Sequence, residues 1–115
     1  MDEVSENALQ SALVEAALLN GWKVYWVPDW VYRVIYRAAK ARGRRSGVLP
    51  PPGFPDLVLV KGRRLEFWEC KSKAGRVRPG QEEWADALNE VVEVRYRLVR
   101  PKDQDEMMRF LSGER

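Results

Sequence analysis

Asp56, Glu69 and Lys71 are the side chains whose chemistry could be joined. Asp56 opens the apolar run Leu57-Val58-Leu59-Val60, and a second run ends in Glu69-Cys70-Lys71, with Lys61-Gly62-Arg63 between them. Two short apolar runs around a glycine turn predict a β-hairpin. Period-two alternation then puts Glu69 and Lys71 on one sheet face, about 7 Å apart along the strand, with Cys70 on the other. Counting back from the turn sets Asp56 roughly level with Glu69 on the antiparallel partner. Two carboxylates and a lysine so arranged suit Mg²⁺ or Mn²⁺, whose bound water and polarised phosphate drive phosphodiester cleavage. Glu-x-Lys alone more often describes a surface salt bridge. A register slip of one residue would turn Glu69 and Lys71 away from Asp56.

The elements that must position these groups are legible from periodicity. Leu9, Leu13, Ala16 and Ala17 recur at helical spacing and Asn20-Gly21 is a stop signal, which predicts a helix over 4–20. A strand follows at 22–27, then, past Pro28-Asp29, a basic, aromatic-bearing helix over 30–42. Residues 43–55, rich in glycine, proline and arginine, read as a loop. The hairpin strands occupy 56–60 and 64–71, and a basic loop spans 72–78. Pro79, the early acids Glu82 and Glu83, and Trp84, Leu88 and Val91 at helical spacing mark another helix. A strand at 92–99 and a short helix at 104–111 complete the chain. The expected fold class is α/β, a mixed β-sheet flanked by helices, in one domain over residues 1–115.

Two further polar residues fall on apolar helix faces. On a helical wheel Glu6 lies within about 60° of Gln10, Leu13 and Ala17, so it shares the core-facing stripe, unless the first turn frays and it reaches solvent. Gln81 shares a face with Trp84, Ala85 and Leu88, where it either caps its helix or orients a neighbour.

Composition narrows the chemistry. The 115 residues are 45% hydrophobic and include no histidine, which excludes Ser-His-Asp and Cys-His catalysis and imidazole metal sites. A single cysteine excludes an internal disulfide or a Cys-x-x-Cys site and fits a reducing, cytoplasmic setting in a bacterial, archaeal or phage-infected cell. No apolar stretch has the length of a membrane span, and the acidic Met1-Asp2-Glu3 is unlike a signal peptide, so a soluble protein with no membrane partner is expected. Charge is segregated: residues 33–78 hold 13 Lys or Arg against three acids, a net of +10 against −7 for the rest. A polyanion-binding face with acidic flanks has this pattern, as has a biased solvated surface.

Gly53-Phe54-Pro55-Asp56, then Glu69-Cys70-Lys71, then Gly75 through Trp84 with Gln81 and Trp84 in order, resembles the virus-type replication-repair nuclease (VRR-NUC) family of PD-(D/E)xK nucleases. The resemblance spans residues 6–111 and departs most over 30–52. It implies a restriction-endonuclease-like fold and a metal-dependent DNA nuclease. Asp56 and Glu69 would be metal ligands with the backbone carbonyl of Cys70, Lys71 would stand beside the attacking water, Glu6 would approach the metal, and Gln81 would lie by the active site. The Cys70 thiol is expected to be structural. Lys73, Arg76, Arg78, Arg44 and Arg45 are the expected DNA contacts, with Arg33, Arg37, Lys40 and Arg42 also candidates. Trp30, Tyr32 and Tyr36 could stack on bases, though core or interface packing explains such aromatics as well.

The expected activity is structure-selective endonuclease action on branched DNA such as four-way junctions, easiest for a homodimer with two sites. A replication or repair helicase is a further expected partner. The rivals are a catalytically silent DNA-binding module or helicase-associated subunit, and a purely structural protein, which leaves the basic segment unexplained.

Overall fold

The computed structural model describes residues 4–43 and 52–114. The first helix, α1 (Glu6–Leu19), starts where the Ser5 hydroxyl accepts the Ala8 amide at 3.0 Å. It ends as Gly21 takes φ +82°, a left-handed turn that glycine adopts without strain. Strand β1 (Lys23–Trp26) and helix α2 (Asp29–Ala41) follow. Next come β2 (Leu57–Lys61) and β3 (Arg64–Cys70), joined through Gly62 at φ +60°. Helix α3 (Pro79–Asn89), β4 (Arg95–Val99), a 3₁₀ turn (Pro101–Asp103) and α4 (Gln104–Leu111) close the order.

The sheet order is β1-β2-β3-β4, antiparallel except for the parallel β3–β4 pair. The antiparallel β2–β3 pair needs only a tight turn, whereas the parallel β3–β4 pair needs a crossover, which α3 supplies. One sheet face carries Leu57, Leu59, Trp68 and Cys70, buried with Leu9, Leu13 and Ala17 of α1 and Met107 and Leu111 of α4. Trp22 joins this core and donates from its indole nitrogen to the Leu111 carbonyl at 2.9 Å, so the large ring is buried without an orphaned N–H. Each such side chain contributes roughly 1.5–3 kcal/mol of burial energy. Alternation sends Phe67 and Glu69 to the opposite face.

The expected mixed α/β architecture is the observed one, with most element ends shifted by a residue or two and the largest shift before β4. The helix predicted to include Val91 stops at Asn89, and the strand predicted from residue 92 begins at Arg95. Val91 and Val92 are exposed, and Glu93 turns the chain at φ +71°. Val91 is expected in the helix and Val92 in the strand, but the β3–β4 ladder opens only at Glu66↔Arg95, so earlier residues have no partner strand. Among the described residues no helix is long and apolar enough to cross a membrane.

Candidate active site

The hairpin register decides whether the chemical residues meet. Leu57 pairs with Trp68, so the next position brings Asp56 level with Glu69. Asp56 lies just before β2, and its Oδ2 accepts the Cys70 amide at 2.8 Å, tying the loop to the end of β3. Cys70 itself points into the core, where burial pushes its thiol pKa up and keeps it neutral. Glu69 and Lys71 are both buried. The Lys71 ammonium stands 3.9 Å from Glu69 Oε2 and 3.9 Å from Glu6 Oε1. Glu6 reaches this point from the first turn of α1 with its side chain 49% exposed: it lies at the open end of the stripe the wheel assigned to it.

Gln81 does both things its position allowed. Its Oε1 accepts the Arg78 amide at 2.9 Å, closing the start of α3, and its Nε2 donates to Glu69 Oε2 at 2.8 Å. The approach of α3 to the pre-β2 loop depends on two glycines. A Cβ on Gly53 would come within 2.4 Å of the Gly80 backbone, and one on Gly80 within 3.0 Å of the Pro52 carbonyl oxygen. Phe54 then fills the join, edge-on to Trp84 at 4.9 Å and to Phe67 at 6.0 Å between ring centroids. Two packed aromatic edges therefore set the position of both Asp56 and Gln81.

Electrostatically the site is under tension. Burial raises the Asp56 carboxyl from 3.8 to about 6, opposed by the Cys70 amide, with Glu6 and Asp29 adding repulsion. Burial and then the Asp56 charge raise Glu69 from 4.5 to about 8, against the pull of Lys71. Tyr96, which pairs with Phe67 on the neighbouring strand, is raised to about 12 by burial and by both acids. Glu69 Oε1 is buried and has no hydrogen-bond partner among the described residues. A buried carboxylate oxygen left unpaired costs stability, and a cation beside it would remove that cost. The donor set, two carboxylates with one spare buried oxygen, therefore fits a hard divalent ion. Glu6 does not complete a side-chain ligand trio: among the described residues no three acid or thiol side chains converge closely enough to hold a metal. Its carboxylate pairs with Lys71 from the solvent side instead.

A cavity of about 330 Å³ opens beside Asp56, lined by Ser5, Glu6, Asn7, Gln10, Asp29 and Ser72. Lys73, Arg76 and Arg78 are exposed on the loop that leaves Lys71. Arg33 is exposed on α2 and paired with Asp29 at 3.0 Å. Arg37, Lys40 and Arg42 are exposed as well, while Arg44 and Arg45 lie outside the described residues. Tyr32 and Tyr36 are half-buried and stack on each other at 6.4 Å, and Trp30 is exposed. Two contributors escape sequence reasoning. A Cβ at Gly75 would lie 3.2 Å from Glu6 Oε1 and 3.3 Å from Lys71 Cδ, so glycine lets the loop close on them. Arg100 donates to carbonyls of the same loop. Gly75 stood within the motif region, but nothing local marked Arg100.

No protein-family model matches the chain, and no curated protein does. Among solved structures, a VRR_NUC domain protein superimposes with a TM-score of 0.60 at 16% identity, over 96% of this chain and 92% of that one. The chain thus has the fold of a VRR-NUC domain, the fold that the residue pattern implied.

Proposed function

We propose that the protein is a divalent-metal-dependent DNA nuclease of the VRR-NUC type, a structure-selective endonuclease for branched DNA such as four-way junctions. One observation carries the reading: Asp56 and Glu69 stand level beside Lys71, and a buried Glu69 oxygen lacks a partner. The likeness to the VRR_NUC domain protein supports it at the level of fold.

Asp56, Glu69 and the Cys70 carbonyl would hold the Mg²⁺ or Mn²⁺, which when bound supplies a Lewis acid for the phosphoryl oxygen and a water of lowered pKa. Lys71, held between Glu69 and Glu6, offers its charge to the negative charge that builds on the phosphate. Gln81 holds one oxygen of Glu69, and the other, without a partner among the described residues, would be available to the metal. Exposed Lys73, Arg76 and Arg78 hold neighbouring phosphates. A two-fold dimer would bring two such sites to the two strands of a junction, and a replication or repair helicase is a fitting partner.

The test is cleavage of labelled four-way junction, flap, single-stranded and linear duplex DNA by wild type and Lys71→Ala, with Mn²⁺, Mg²⁺ or EDTA. Metal-dependent cutting of branched DNA, lost in the variant, is the expected result. Salt-sensitive binding without cutting on any substrate would instead make the protein a silent DNA-binding module.

A further inference from the structure

The loop that follows Lys71 is held from inside by one side chain. Arg100, immediately after β4, donates from Nη1 to the carbonyls of Ser72 at 2.8 Å and Gly75 at 2.9 Å, and at a longer 3.4 Å to that of Lys73. Its own position is firm. The Lys71 amide donates to the Val99 carbonyl at 2.9 Å, and the Arg100 amide donates to Asp103 Oδ2 at 3.0 Å. The loop adds one turn bond of its own, Gly75 amide to Ser72 carbonyl at 3.2 Å.

Three carbonyls gathered on one cation dictate where the adjoining N–H groups go. A trans peptide is planar with its C=O and N–H opposed, and the described chain has no cis bond. The amides of Lys73, Ala74 and Arg76, which share peptide units with those carbonyls, therefore point away from Arg100 towards the loop's outer side. Lys73, Ala74 and Arg76 are exposed there, and none of the three amides donates to a protein acceptor among the described residues. Outward N–H groups beside two cationic side chains make a surface for phosphate oxygens, built by turning the competing carbonyls inward.

We infer that Arg100 is a positioning residue for substrate: it presents the Lys73, Ala74 and Arg76 amides to a DNA phosphate beside the one cut at Asp56 and Glu69. This rests on the nuclease reading for the identity of the anion. Arg100 needs no contact with DNA, because it acts through the loop backbone. A glutamine there is shorter and carries no charge, so the carbonyls are no longer held and are free to turn outward.

The experiment titrates the labelled protein with a short DNA duplex and with a four-way junction in EDTA, reading affinity by fluorescence anisotropy and individual amide protons by NMR. In the wild type the Lys73, Ala74 and Arg76 amide protons should move downfield as DNA is added. Arg100→Gln should stop that movement and weaken binding about tenfold, with unchanged circular dichroism. Lys102→Gln, which removes the same charge from an exposed position nearby, should change affinity less than about twofold. Equal losses in the two variants, or wild-type amides that do not respond to DNA, would overturn the inference. Should Arg100→Gln not fold, the wild-type amide titration decides alone. Responsive amides in a protein that cuts nothing with Mn²⁺ or Mg²⁺ would remove the nuclease reading and leave Arg100 as a positioning residue for DNA binding alone. Cutting with silent amides would remove this one only.

Discussion

Glu66 and Glu69 lie on the same strand, three residues apart, and both are buried, at 5% and 3% exposure. Their surroundings differ completely. Glu66 Oε1 accepts from the Trp68 indole at 2.8 Å and from Arg97 Nε at 2.8 Å. Arg97 in turn lies over the Phe110 ring, 4.8 Å from its centre. Glu69 has one oxygen on Gln81, a lysine no nearer than 3.9 Å, a second carboxylate level with it and one oxygen with no partner among the described residues. A buried charge that serves the fold is paired with hydrogen bonds of good geometry. Glu69 instead keeps an oxygen in reserve, and the raised Asp56 and Glu69 pKa values record what that reserve costs the fold.

Neutralising each glutamate separates the two roles. Glu69→Gln should lower metal-dependent cleavage about a thousandfold, roughly 4 kcal/mol of transition-state stabilisation, while the metal-free protein melts no lower than wild type. A cleavage assay beside thermal melts in EDTA checks both halves. A variant that keeps its activity would end the contrast.

The next largest effect is on stability against pH. Glu69 and Asp56 hold their protons more tightly folded than unfolded, so the folded state binds more protons between the ordinary carboxylate range and pH 8. Their stabilisation is complete below about pH 4 and is lost as pH rises through 6 and then 8. Denaturant melts in EDTA should therefore show the metal-free protein losing a few kcal/mol across that window. Mn²⁺ at pH 8 should restore it, and Glu69→Gln should flatten the decline.

Glu66→Ala should cost about 2–3 kcal/mol, because Arg97 and the Trp68 indole lose their acceptor, and cleavage per folded molecule should be unchanged. Urea unfolding with active-site titration separates these quantities. The smallest effect is expected of Gln81→Ala: about 1 kcal/mol from the helix start and about a tenfold slower cleavage, with KM held. An unaltered rate would assign Gln81 to capping alone.

Most elements were readable because helices and strands announce themselves by period. Alternation put Glu69 and Lys71 on one face, and of the registers left open the observed one keeps Leu57 and Leu59 inside. Gln81 showed on the wheel as a polar residue on an apolar face, but which of its two roles applied was undecidable, since both are made by one amide group. Val91 misled by its helical spacing, and residues 92–94 because where the partner strand begins cannot be read locally. Glu66 carried no signal at all, since the same glutamate in an alternating strand is equally at home in water.

The sequence by itself determined the order of elements, the apolar faces and the shared face of Glu69 and Lys71, all of which follow from local periodicity, while the register that sets Asp56 level with Glu69 came with the structure. Only the tertiary structure decided which buried glutamate is satisfied, that Glu6 comes to Lys71 from α1, and that Arg100 gathers the carbonyls of the loop beyond it. Apart from the Trp68–Glu66 bond, those contacts join residues 25 or more positions apart, where the partner is chosen by how sheet and helices pack and no spacing along the chain encodes it.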